Sequence, residues 1–169
     1  MHKVLVSRCL LGQRVRYEGG VQAAEALLAA WQSEGRVVPV CPEVEGGLPT
    51  PRPRAEIPTG QGAAVLDGRL PVRTHEGDDV TAPYLEGARI ALRLAAEHGI
   101  RIAVLKARSP SCGNTETYDG TFTATRVPGE GVTAAALRRA GIRVFNETEL
   151  ADAAAALAEL EASPPQVGR

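Results

Sequence analysis

A chain of 169 residues with 44% apolar residues and a formal net charge of -1 is long enough to bury roughly 70% of its unfolded surface in one core. The interspersed charges argue against a nucleic-acid surface, and the preference for Arg over Lys, together with many Ala and Pro residues, reads as genome composition rather than a polyanion patch. No apolar run reaches the roughly 20 residues of a membrane helix, the 3 cysteines cannot all pair within one chain, and Met1-His2-Lys3 begins no signal-peptide pattern, so a reducing cytoplasm is the expected setting.

In chain order, Val4-Leu5-Val6 reads as a buried strand, followed by a loop from Arg8 to Gly20 and a helix from Val21 to Glu34 that stops at Gly35. Arg36 to Val40 is a second strand. Cys41 to Gly62 is too rich in Pro and Gly for a helix or a central strand, and it predicts an ordered loop or lid. Ala63 to Thr74 predicts a hairpin turning at Asp67-Gly68. Asp79 to His98 predicts a helix capped by Asp78 or Asp79 and stopped by Gly99. Ile100 to Leu105 is a third strand, Val132 to Ala140 a helix closed by Gly141, Ile142 to Phe145 a fourth strand and Thr148 to Ala162 an Ala-rich helix. The alternation predicts one α/β domain over residues 1–162, a three-layer sandwich around a mostly parallel, Rossmann-like sheet, with a flexible C-terminal tail over 163–169.

Cys9, Cys41 and Cys112 are the only cysteines, and each falls just past one of the first three strands. A cysteine taken alone is more often core than ligand. Three at strand exits read differently, because ligands of an open α/β sheet bind beyond the carboxyl ends of its strands. Three thiolates without an obvious fourth point to a metal or iron–sulfur cluster with one position open to substrate. Their thiols are then expected to face one cavity.

Glu43 and Glu45 are a pair of carboxylates just after Cys41, and Glu43 is the better candidate because Pro42 stiffens its approach to the cysteine; solvated loop charges are the plain alternative. Ser109 and Ser111 around Pro110 fit turn roles, Ser111 more so. Lys106 and Arg108 stand at the mouth of the third strand, where a cation either holds a substrate oxygen or snorkels to water. His75 and His98 carry weak signals. No nucleotide fingerprint, phosphate loop or HExxH motif is present.

The segments VSRCLLGQRVRYEGG, CPEVEGGLPTPRPRAEI, Gly77 to Gly87 with Asp79-Val80-Thr81, KARSPSCG, YDGTF and GVTAAALRRAGIRVFNE occur in order. Together, from Val4 to Glu147, they resemble the thiouracil desulfidase family, long known as domain of unknown function 523. The resemblance implies a 4Fe-4S cluster held by Cys9, Cys41 and Cys112 with one iron free of protein, and catalytic roles for Glu43 and Ser109. It implies a small thiolated base as substrate, with oxygen replacing sulfur, sulfide released and no net redox change. A soft thiocarbonyl sulfur suits an open iron; Glu43 would then move a proton and Ser109 would donate a hydrogen bond to developing charge. Two departures are visible, Val15 where many members carry a further cysteine and Ala107 where they carry a serine. The competing readings are a non-enzymatic iron–sulfur or zinc module, and a cysteine hydrolase using His75 as base.

Overall fold

The chain is described from a computed structural model covering residues 1–11 and 19–162. The expected tail over 163–169 and the departure at Val15 lie outside the described residues.

The strands of the main sheet are rich in Val, Leu and Ile, because both faces of the sheet are covered; the last, at the edge, begins on an exposed Arg143 and ends on Asn146. In order of sequence these strands are β1 (Val4–Ser7), β2 (Val37–Val40), β5 (Ile102–Leu105) and β8 (Arg143–Asn146), and they pair in the order β2-β1-β5-β8, all parallel. Successive side chains alternate between two helical layers. Val4, Val6, Ile102, Val104 and Phe145 meet Leu28 and Trp31 of α2 (Gly19–Ser33) and Leu150, Ala153 and Leu157 of α7 (Leu150–Ala162). Leu5, Val38, Val40, Ala103, Leu105 and Val144 meet Ala91 and Ala95 of α5 (Thr81–His98) and Ala134 and Leu137 of α6 (Val132–Arg139). The result is the expected three-layer α/β arrangement. Gly99 ends α5 in the left-handed region at φ 63°, as its position after His98 predicts. Among the described residues no helix is long and apolar enough to cross a membrane.

The strand order places the topological switch between β1 and β5, since β2 lies on one side of β1 and the chain then crosses to the other. A ligand is expected at the carboxyl ends of those two strands.

Three local expectations are corrected. The stretch after β1 is not wholly loop: Arg8–Leu11 forms a single turn, α1, which buries Leu10. The Pro-rich segment contains α3 (Pro42–Glu45), the two-residue strand β3 (Ala55–Glu56) and a 3-10 turn over Pro58–Gly60. The hairpin expected over Ala63 to Thr74 is instead α4 (Gly62–Leu66) followed by β4 (Arg73–Thr74), and β4 pairs antiparallel with β3. Val65 and Val72 drive this outcome, because both sink into a satellite core with Ile57, Tyr84, Ala88, Val132 and Ala136. A second small ribbon, β6 (Glu116–Tyr118) with β7 (Arg126–Pro128), carries the YDGTF segment at its tip.

Candidate active site

The three cysteines leave the sheet in three different ways. β1 runs directly into α1, which carries Cys9. Cys41 ends β2 as the N-cap of α3, and its thiol makes no capping bond. Cys112 ends a tight loop after β5 that Ser109 organises, its Oγ accepting the backbone N–H groups of Ser111 at 3.0 Å and Cys112 at 2.9 Å. That loop is stapled to the start of α6, where the Pro110 and Ser111 carbonyls accept the otherwise unpaired N–H groups of Val132 and Thr133, each at 2.8 Å. Gly131 permits the approach, since a Cβ there would strike the Ser111 backbone.

Cys112 is buried and Cys9 exposed, with Cys41 between them. Burial pushes the Cys112 thiol up to about 12, against hydrogen bonds with Ser7 and Ser111 that pull it down, with nearby Glu43 and Cys9 adding to the rise. The Cys9 thiol is also raised, first by partial loss of solvent around it and then by the neighbouring Cys41, while Lys106 opposes both. The three thiols thus interact pairwise through Cys9. Among the described residues no three His, Cys, Asp or Glu side chains gather closely enough to hold a metal ion.

Beside the strand exits lies a cavity of about 640 Å³. Its walls are Glu43, Arg52, Pro53, Arg54, Ala55 and Glu56 of the Pro-rich segment, Tyr84 of α5, residues 106–110 after β5, and Tyr118 and Ala124 of the β6–β7 ribbon. Glu43 and Ser109 therefore share one cavity, whereas the three cysteines are not among its lining residues. Tyr84 donates its hydroxyl to Glu43 Oε1 at 2.5 Å, and an Arg52 guanidinium nitrogen lies 3.4 Å from Glu43 Oε2. Burial and the adjacent carboxylate together raise the Tyr84 phenol far above its ordinary value, so it is a fixed donor. Glu43 reaches this position because α3 lies directly on α5: a Cβ at Gly46 would strike the Pro83 carbonyl, and one at Gly87 the Pro42 carbonyl.

Ser109 already accepts two amide protons, which leaves its own O–H to donate into the cavity. Arg108, just before it, holds φ 70°, a left-handed conformation uncommon outside glycine that sets the wall at this point. On the opposite wall the buried Glu56 accepts the N–H groups of Gly120 at 2.9 Å and Phe122 at 3.1 Å, tying the ribbon tip to β3. Glu45 accepts the Cys41 N–H at 2.8 Å and lies 3.7 Å from Arg8, so it links the first two cysteine loops rather than facing the cavity. His75 packs edge-on against Phe122 and does not line the cavity.

The model of the 2-thiouracil desulfurase family matches residues 4–149. The chain belongs to that family. The uncharacterized protein YbbK of Bacillus subtilis (strain 168) is 45% identical over 149 residues, covering 88% of this chain and 98% of its own length. A solved structure of the 4Fe-4S-dependent thiouracil desulfidase TudS is 43% identical, covers 94% of this chain and 99% of its own, and superposes with a TM-score of 0.79.

In this desulfurase-family chain the sequence-derived pair Glu43 and Ser109 lines one cavity, and Ser111 is a buried turn residue bonded to Thr133 at 2.9 Å. Sequence reasoning missed Ser7, Arg52, Tyr84, Glu56 and Glu147. Ser7 and Glu147 obey the rule that found the cysteines, since each lies at the exit of a parallel strand. Ser7 Oγ accepts the Lys106 N–H at 2.9 Å, which ties the exits of β1 and β5 together. Tyr84 carried no such signal, because its role depends on how α5 meets α3.

Proposed function

We propose that this protein is a 4Fe-4S-dependent enzyme that replaces the thiocarbonyl sulfur of a thiolated pyrimidine base such as 2-thiouracil with oxygen and releases sulfide. The observation that carries the reading is the convergence of Glu43 and Ser109 on one cavity beside three cysteine-bearing strand exits, in a member of the 2-thiouracil desulfurase family. TudS, at 43% identity, is described as 4Fe-4S-dependent and as acting on thiouracil.

The donor set fits a cluster better than an ion. A structural zinc closes its coordination with four ligands, whereas three soft thiolates at three strand exits leave one iron of a cubane open to substrate. We assign Cys9, Cys41 and Cys112 as the ligands. Bound there, the cluster supplies a soft Lewis acid for the sulfur.

The remaining chemistry belongs to the chain. Water adds to the thiocarbonyl carbon, its oxygen becomes the new carbonyl oxygen, and its two protons leave with the sulfur as hydrogen sulfide; no electron is gained or lost. Glu43, its carboxylate held by Tyr84 and Arg52, takes a proton from the water or from the ring nitrogen. Ser109 donates its free O–H to the charge that develops at the reacting group. The Pro-rich segment over residues 52–56 and Ala124 of the ribbon form the walls against which the base would lie.

The test is anaerobic reconstitution with iron and sulfide, followed by assay of 2-thiouracil for loss of thiocarbonyl absorbance and for sulfide. Iron-dependent turnover is expected, and Cys9→Ala, Cys41→Ala or Cys112→Ala each lowers iron content and activity together. Tight zinc binding with no iron uptake, or full turnover by iron-free protein, overturns the reading in favour of a zinc module or a cysteine hydrolase.

A further inference from the structure

Four cations line the cavity: Arg52, 3.4 Å from Glu43, and Arg54 on the Pro-rich wall, and Lys106 and Arg108 in the loop after β5, Arg108 lying 3.6 Å from Glu116. Lys106 is placed differently. Its ammonium donates to Glu147 Oε2 at 2.6 Å, and the other oxygen of that carboxylate accepts the Ala107 N–H at 2.8 Å, so Glu147 grips both the side chain and the backbone beside it. Parallel pairing of β5 with β8, with Leu105 opposite Asn146, brings Glu147 to this point. The Lys106 backbone N–H donates to Ser7 Oγ at 2.9 Å, which holds it at the exit of β1, two residues before Cys9. Lys106 thus lines the cavity that holds Glu43 and Ser109, at the point where β1 and β5 end. An ammonium has three N–H donors, and Glu147 takes one.

A thiolated pyrimidine such as 2-thiouracil keeps one exocyclic carbonyl, separated from the sulfur-bearing carbon by a single ring nitrogen. Whatever recognises that oxygen must stand within one ring's width of the place where the sulfur is captured. Lys106 is the cavity cation that stands at the strand exits, its backbone bonded to Ser7 of β1, and its anchoring by Glu147 fixes its aim. Resting on the activity proposed above, we infer that Lys106 is the hydrogen-bond donor that selects thiolated bases retaining this second carbonyl, and that Glu147 is the positioning residue that aims it.

Reconstituted protein is assayed on 2-thiouracil and on pyrimidine-2-thione, which lacks the carbonyl, with the inhibition constant of each against the other supplying the comparison for a compound that turns over slowly. For Lys106→Met, kcat/KM on 2-thiouracil is expected to fall roughly 10- to 100-fold, mainly through KM, the range of one charge-assisted hydrogen bond, while the value for pyrimidine-2-thione changes by less than about 2-fold. Glu147→Gln gives the same split to a smaller degree, and iron content stays at the wild-type level in both variants. Equal losses on the two compounds, no loss on either, or loss of iron overturns the assignment while leaving the proposed activity standing. Fully loaded wild-type protein that turns over neither compound fails the proposed activity and overturns this inference with it.

Discussion

Glu43 and Glu45 are two residues apart on one turn of helix, yet the structure gives them unlike work. Glu43 faces the cavity with one oxygen on the Tyr84 hydroxyl and the other near Arg52, whereas Glu45 turns back to the Cys41 amide and Arg8. Glu43→Gln is expected to retain the cluster and lower kcat by roughly 10²–10⁴-fold, the usual contribution of a general base or acid. Glu45→Gln keeps a carbonyl oxygen that can still accept the Cys41 N–H, so its effect on kcat is expected to be far smaller. Single-turnover rates of the two variants at matched iron content check this, and equal losses would mean that Glu43 carries no proton. Ser109→Ala removes both the hydroxyl donor and the acceptor for two amides, so a fall in turnover is expected together with faster exchange of the Ser111 and Cys112 amide protons, read by NMR.

At the scale of elements, the contact between α3 and α5 decides where Glu43 points. Two glycines, Gly46 and Gly87, let the two backbones touch. Gly87→Ala forces them apart and is expected to destabilise the fold by about 1–3 kcal/mol, as overpacking does, with kcat falling because Glu43 moves off Tyr84. Thermal unfolding combined with kinetics tests this; an unchanged melting temperature would show that the helices yield without cost. The long elements were legible in the sequence because two-sided burial writes apolar runs for β1, β2 and β5 and leaves Val144-Phe145 in β8, and because glycines mark the stops of α5 and α6. The short ones were not. α1, α3, α4 and the β3–β4 pair are too brief to carry a period, and they exist because Leu10, Val65 and Val72 find partners elsewhere in the chain. The same reason explains the site: the strand-exit rule found Cys9, Cys41 and Cys112, but the Tyr84–Glu43 and Lys106–Glu147 pairs join residues 41 apart and depend on helix contact and strand order.

Across the whole molecule, the edge of the sheet opposite the cavity is closed by one ionic knot. Glu161, at the end of α7, accepts from Arg36 before β2 at 2.5 Å and from the His2 N–H before β1 at 2.9 Å, while Arg36 also donates to the His2 carbonyl at 2.7 Å. The Arg36 hydrogen bond, with the His2 amide, lowers the Glu161 carboxyl from 4.5 to about 2. A carboxyl depressed in the folded state contributes stability that is present above its unfolded value and is lost as the pH falls through the folded one. The end of α7 is therefore expected to lose this contribution progressively between about pH 4.5 and about pH 2 in the wild type, with the Glu161 midpoint moving up towards 4.5 in Arg36→Gln. Acid titration followed by NMR of the α7 amides reads this directly, and identical midpoints would show that packing by Leu150 and Leu157 alone holds the helix. The strand order has a further consequence, for timing. Cys9, Cys41 and Cys112 all precede the parts that support the third of them: the first turn of α6, on which the Pro110 and Ser111 carbonyls rest, and Glu147, which clamps the backbone at Ala107. A ribosome that has delivered the last thiol has not yet delivered its scaffold, and domains of this size fold as units. With the ligands proposed above, a cluster is expected to be installed after translation has passed residue 147, on a finished sheet rather than a growing chain.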